Sequence, residues 1–451
     1  MDSPSQRDAW GERLPRRLGL WSAVAVLVGS VIGSGIFRVP AAVAAAVSDP
    51  GPVLLTWAFG GLLALCGALT LAELAAALPR SGGVFAYILE AFGPLPAFLF
   101  GWSYLAVIRA AALGAIATIF AEYLTRFVAL DAMQVRYVAA GVIVLVGIFN
   151  YVGVARAALV MNLATVAKFG ALALLVGLAF LAGDGNSANF TASSGSAVSM
   201  PAVATVLVAV MWTYDGWADL SYMGGEVRDP QRTLPRALIL GTLAIIAIYM
   251  AVNAAYIYLV PLPEMATSPL IAATAAERIP LLGDLGARGV ALVVMLSTFG
   301  AVNGSMMTGP RVFFAMADRG LFLPAIARVS PRFHSPSTAI WLAVGLGVVY
   351  VLFNDFAQLA DKFVLGIWPF YTLAVAAVFV LRRRRPDLER PYRVWGYPVV
   401  PLLFLVSSVG MVVNALIERP VDTGITFGII LLGLPVYWVW RRMQPATVTL
   451  P

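Results

Sequence analysis

Apolar residues fill this chain in long stretches separated by short polar ones, without the every-second-residue alternation that strands of a membrane barrel would need. Crossing an apolar layer of about 30 Å takes a helix of about 20 mostly apolar residues, because lipid offers no partner to a free backbone group. Twelve stretches qualify, at about 20–47, 52–79, 94–124, 136–154, 157–182, 199–223, 236–261, 286–317, 336–353, 357–381, 397–416 and 421–441. The pattern predicts an all-α membrane protein of twelve transmembrane helices. No Ser-, Gly- or Pro-rich linker divides it, since the longest polar gap, GDGNSANFTASSGSAVS, is a loop between the fifth and sixth spans. Residues 1–451 thus read as one polytopic domain, with 1–19 as an N-terminal segment. Two amphipathic pieces, SGGVFAYILEAFG and SPLIAATAAERIP, are predicted as helices outside the apolar layer.

Two spans break the pattern near their middles. The first carries Gly33-Ser34-Gly35 within SVIGSGIFRVP, and the sixth carries Asp215-Gly216 within WTYDGW, a turn-type pair that helix interiors avoid. Glycine costs a helix about 1 kcal/mol relative to alanine, and an ionised aspartate in lipid costs several more, so both sites need a reason. The breaks lie five spans apart, and corresponding interruptions in two halves of a membrane protein point to a binding site near the midplane. Gly29 and Gly33 also form a small-xxx-small pair suited to close helix packing, which accounts for neither Ser34-Gly35 nor the carboxylate.

The composition, 61% apolar and 12% charged with a mean hydropathy of +0.87, agrees with an integral membrane protein. The net charge of +7 invites a nucleic-acid reading, but the location of the charges argues otherwise. With a cytoplasmic N-terminus, the inner loops and termini hold twenty basic residues and the outer loops six, which places both termini inside. The run LRRRRPDLERPYR then reads as a cytoplasmic anchor for anionic lipid headgroups, and no nucleic-acid partner is expected. The first apolar run is too long for a cleaved signal. The single cysteine, Cys66, and single histidine, His334, supply neither a metal site nor a general base, so no metal, no cofactor and no enzyme activity are expected.

A helix that unwinds and restarts exposes free N–H groups on one half and free carbonyls on the other. An amino acid's carboxylate and ammonium match that pair of signs. The N–H groups of Ser34, Gly35 and Ile36 are the candidate donors, with carbonyls of Val31, Ile32, Trp212, Thr213 and Asp215 as candidate acceptors and Tyr214 and Gly216 completing the stretch. Trp212 and Trp217 flank the second break and are candidate lids, although tryptophan also anchors helices at membrane surfaces. Lys168, one of only two lysines, lies too deep in the fifth span to reach water easily. Its ammonium could replace a bound cation beside a broken helix, or pair with Asp215. Arg109 is a second mid-span charge whose partner the sequence does not name, and Glu73 and Glu226, with Arg80, Arg228 and Arg232, suggest an inner gate network.

The segments VGSVIGSGIFRVP, AELAAALPRSGGVFAYILEAFG, VIRAAA, FNYVGVARAA, AKFGALALL, YDGW with GGEVRDPQRTLPRA, STFGAVNGSMMTGPRVFFAMADRGLF and RRRRPDLERPYRV together resemble the L-amino acid transporter family of the amino acid, polyamine and organocation superfamily, in its prokaryotic form. The resemblance spans about Leu18 to Val400. It implies the leucine-transporter fold, two inverted five-helix repeats at 20–182 and 199–381 followed by two trailing helices at 397–441. It also implies sodium-independent amino-acid transport, usually by exchange, with proton-coupled uptake of amino acids or cationic amines as the alternative. Gly33, Ser34 and Gly35 would hold the substrate carboxylate, carbonyls of Val31, Trp212 and Asp215 its amino group, Trp212 the lid position and Lys168 the place of a sodium ion. Family members commonly have phenylalanine at the lid and often glycine where Asp215 stands. Eukaryotic relatives join a glycoprotein subunit through an outer-loop cysteine that TRFVALDAMQVR lacks, so no disulfide-linked partner is expected. The expected location is a plasma membrane, the inner membrane in a bacterium.

Overall fold

The computed structural model describes residues 16, 18–79, 82–152, 154–192, 199–318, 320–322, 326, 330, 335 and 337–443. These are helical, with no strand among them beyond one isolated bridge. The helices are α1 (Leu20–Val31), α2 (Val39–Ala46), α3 (Pro50–Ala77), α4 (Gly83–Phe92), α5 (Pro94–Ser103), α6 (Ala110–Leu124), α7 (Ala132–Val152), α8 (Val154–Ala182), α9 (Met200–Tyr214) and the single turn α10 (Asp219–Tyr222). They continue as α11 (Pro230–Leu259), α12 (Leu262–Thr267), α13 (Ile271–Glu277), α14 (Gly283–Asp318), α15 (Ser337–Phe353), α16 (Phe356–Arg384), α17 (Val399–Glu418), α18 (Pro420–Leu431) and α19 (Gly433–Met443). Eight stretches are long and apolar enough to cross a membrane, and shorter apolar helices include α1, α9 and α15. Both amphipathic pieces are helical, as α4 and α13.

α11 packs along α3 and α1, with α9 against α3, while α14, α15 and α16 pack on α6, α7 and α8. The continuous stretch of α5, a π-helical turn at Tyr104–Arg109 and α6 lies deepest, with 89% of its most apolar window buried against 28% for α7. A charged residue in so central a helix must face a polar interior, and Arg109 does.

The first span is interrupted as its sequence predicts. α1 ends at Val31, Gly33 N–H turns back onto the Val31 carbonyl at 2.7 Å, and a 3-10 turn at Gly35–Phe37 leads into α2. Pro40 near the start of α2 explains the clean restart, since proline lacks the N–H that a continuing helix would need. The second interruption follows Tyr214, where Asp215 turns extended (φ −65°, ψ 155°) and Gly216 takes φ +110°.

The two breaks cross each other, and this is what their glycines are for. A β-carbon on Gly35 would lie 2.5 Å from Thr213 Oγ1 and 2.8 Å from its Cα, and one on Gly216 would lie 3.0 Å from the backbone of Ser30 and Val31. Gly216 also sits in a region of φ that other residues enter only at a cost. A β-carbon on Gly33 would meet only the Val31 oxygen, at 3.8 Å, so packing does not demand that glycine.

At one end, called here the Leu18 face, Leu18 bridges the loop after α10 through its N–H to the Glu226 carbonyl and its carbonyl to Arg228 N–H, at 3.0 and 2.9 Å. The expected network around Glu73 is corrected there. Buried Glu73 takes two hydrogen bonds from Arg382, at 2.9 and 2.6 Å, and one from Val394 N–H at 2.7 Å, with Arg390 3.5 Å away. Arg228 reaches the Arg16 carbonyl instead, and Arg80 and His334 lie outside the described residues. Two arginines of the run, Arg382 and Arg390, are therefore turned inward, while Arg383, Arg384, Arg385 and Arg393 stay exposed. Arg390 also donates to the Leu381 and Arg385 carbonyls at the end of α16 and to the Leu388 carbonyl of the loop that follows, and Arg385 pairs with Glu90 of α4 at 2.8 Å. A buried carboxylate needs fixed donors, and they come from a run that composition alone assigns to lipid headgroups.

Candidate functional site

A cavity of about 490 Å³ lies where the two breaks cross, within the range that holds small molecules. α1 lines it with Gly29 to Val31, the first break with Gly33 to Gly35, and the second break with Trp212, Thr213, Asp215 and Gly216. It runs toward the Leu18 face, where Leu18, Ser22, Ala25 and Met223 line it and Ser22 and Ala25 are exposed. Beyond the first break it is capped. Trp212 stands edge-on to Phe363 with ring centres 4.9 Å apart and packs against Phe356, and all three are buried. Arg38 lies over the Phe356 ring at 5.6 Å and pairs with Glu122 of α6 at 3.1 Å, while Tyr123 donates to the Phe37 carbonyl at 2.8 Å. The cavity is thus closed at what we call the Arg38 face and reached from the other.

The remaining walls come from helices whose contribution the sequence pattern does not locate. The π-helical turn supplies Tyr104 and Arg109, α6 supplies Ala112 and Ile116, α14 supplies Ser297, Gly300, Ala301, Gly304 and Ser305, and α16 supplies Phe363 and Ile367. Small residues on α14 open the space. Four lining residues are charged, Arg109 and Lys168 of one sign, Asp215 and Asp219 of the other. Arg109 sits over the Tyr104 ring at 4.8 Å and bonds its hydroxyl, and it feels the charges of both aspartates. Gly309 of α14 makes room for it, since a β-carbon there would come within 2.7 Å of Nε. Asp219 escapes the sequence reading, although its position four residues after Asp215 in an apolar run is the signal that could have found it.

Three side chains brace the breaks. Lys168 Nζ donates to the Gly29 carbonyl at 2.5 Å, so its observed partner is the broken helix and not Asp215. Tyr249 of α11 donates to the Val31 carbonyl at 2.9 Å and lies 3.1 Å from the Thr213 carbonyl, joining one break to the other. Tyr371 of α16 donates to Asp215 Oδ1 at 2.9 Å. Val31 therefore has both carbonyl lone pairs engaged, by Tyr249 and by Gly33 N–H, which removes it from the acceptors open to a ligand. Ile32 is fully buried behind the wall. Tyr214 also lies behind it, 5.1 Å from Tyr249 and 6.0 Å from Trp57 between ring centres. Trp217 packs on Tyr371 and Phe404, at 5.0 and 5.9 Å, and does not line the cavity, so of the two candidate lids only Trp212 stands over it.

A cavity with four charged residues in its lining, set between two interrupted helices inside a body of apolar helices and open at one end, fits a membrane transport protein. Residues 18–440 match the amino acid permease family, and the chain belongs to it. It is 32% identical over 433 residues to the serine/threonine exchanger SteT of Bacillus subtilis, covering 96% of this chain and 98% of that protein. It is 33% identical over 455 residues to the human b(0,+)-type amino acid transporter 1, covering 97% and 92%, and 32% identical over 454 residues to the human cystine/glutamate transporter, covering 97% and 89%.

Proposed function

We propose that this protein is a sodium-independent amino-acid exchanger that works by alternating access, with its substrate bound across the two breaks. The observation that carries the reading is the cavity itself, walled by both interruptions, closed at one face and open at the other. The restarted half of the first span directs the N–H groups of Ser34, Gly35 and Ile36 at a carboxylate, as the first turn of a helix does. The ammonium then falls to the second break, where the Asp215 side chain and the carbonyls of Trp212 and Thr213 are the nearest acceptors. Trp212 covers the bound molecule. Lys168 holds the Gly29 carbonyl where another transporter would hold a cation.

In this reading the twelve spans form two inverted repeats, 20–182 and 199–381, with 397–441 trailing. The asymmetry of basic residues puts the Leu18 face and both termini in the cytoplasm of a plasma membrane, and the described conformation is then open inward. The outer loop without cysteine speaks against a disulfide-linked subunit.

The test is uptake into proteoliposomes. Vesicles preloaded with unlabelled amino acid should take up labelled amino acid several times faster than empty ones; equal rates would remove the exchange claim. The two aspartates in the cavity support proton-coupled uptake as the second reading, in which a pH gradient drives accumulation into empty vesicles.

A further inference from the structure

Asp215 sits at an unfavourable place for a carboxylate. It caps the C-terminal end of α9, where unpaired carbonyls carry partial negative charge, and Asp219 adds a further negative charge nearby. A carboxylate so placed is driven toward any donor within reach. In the described conformation the side-chain donor is the Tyr371 hydroxyl, at 2.9 Å, beside the Gly216 backbone N–H. The Tyr371 ring is itself fixed, 5.0 Å from Trp217 and 6.3 Å from Trp368 between ring centres, and the residue is 1% exposed. Rings packed in this way leave the hydroxyl little freedom to point elsewhere.

We propose that Tyr371 is a positioning residue that holds the Asp215 carboxylate on the cavity wall and so keeps it from closing tightly on the substrate's ammonium. The inference rests on the substrate orientation given above and goes beyond it, because it assigns a role to a residue that need not touch the substrate. An exchanger must release what it binds, and a half-buried carboxylate whose other near donor is the Gly216 N–H would make a strong ion pair with an ammonium facing it. The tyrosine hydroxyl supplies a competing partner, so that substrate binding exchanges one hydrogen bond for another instead of satisfying an empty acceptor. The break stays tied to α16 until a substrate replaces that tie.

The test is a double-mutant cycle of Y371F and D215N, read as KM and kcat of exchange in preloaded proteoliposomes. Phenylalanine keeps the packing against Trp217 and Trp368 and removes only the hydroxyl. The expected result is that Y371F lowers both KM and kcat by about three- to tenfold, the size of one lost hydrogen bond, and has no such effect in the D215N background. If D215N exchanges too slowly to read, substrate-induced thermal shifts on the four purified proteins give the same cycle as dissociation constants. Unchanged KM and kcat in Y371F, a raised KM, or an equal effect with and without Asp215 would overturn the proposal. Absence of exchange by the unaltered protein in the same vesicles would instead sink the proposed function.

Discussion

The two breaks look alike in outline and differ in charge. The first is made of glycine and serine and carries no charge of its own, and a cation, Lys168, is brought to the carbonyl end of α1. That is the sign a helix C-terminus favours. The second places an anion, Asp215, at the carbonyl end of α9, the sign a helix C-terminus disfavours, and offsets it with a hydroxyl from α16. One break is thus settled by its surroundings and the other is held under tension. We read the first as the fixed half of the site and the second as the half on which substrate choice turns.

The largest effects should come from the glycines that let the breaks cross. Gly35→Val puts side-chain atoms into the Thr213 backbone, and Gly216→Ala forces a β-carbon into both a positive φ and the Ser30–Val31 backbone. Each should cost about 3 kcal/mol or more, seen as a lowered melting temperature of the purified protein with loss of uptake. Gly33→Ala, which meets little, should fold normally and disturb only transport; equal destabilisation by all three would erase the distinction between packing and site glycines.

Next comes Lys168→Ala, which leaves the Gly29 carbonyl without its charged donor. A hydrogen bond from a charged group contributes about 1.5–3 kcal/mol, so flux should fall roughly ten- to hundredfold while the protein still folds, and near-normal flux would reduce the lysine to a structural contact. Tyr249→Phe removes a donor that both breaks share and should cost about 1–3 kcal/mol of stability, measured by thermal unfolding. If the breaks are independent of each other, that loss will not change KM. The smallest effect is expected at the cap, where Arg38 and Glu122 are each about a quarter exposed. Arg38→Ala should change stability by no more than about 1 kcal/mol, and labelling of a cysteine introduced near Trp212 should report whether the Arg38 face then opens more often.

How much of this was legible in the sequence follows the same division. Gly33-Ser34-Gly35 and Asp215-Gly216 are visible because glycine and aspartate are wrong for a membrane helix, and Lys168 is visible because a lysine is wrong at that depth. Tyr249 and Tyr371 are hidden, since a tyrosine in an apolar run is as well explained by packing, and only the fold shows where its hydroxyl points. Ile32, Tyr214 and Trp217 belong to the right stretches but sit on the far side of the backbone from the cavity, a matter of rotation about a broken helix that spacing cannot give. The Arg382 and Arg390 contacts to Glu73 were illegible for a related reason: the run pairs across more than 300 residues of sequence, and charge counting sees only its local excess.

The central claim is that one amino acid lies across both breaks with a fixed polarity. A structure determined with a saturating amino acid found to exchange would test it most directly. The account predicts the substrate carboxylate within hydrogen-bond distance of the N–H groups of Ser34 to Ile36 and the ammonium at Asp215 and the end of α9. A substrate bound in the reverse polarity, or outside the space between the breaks, would contradict it.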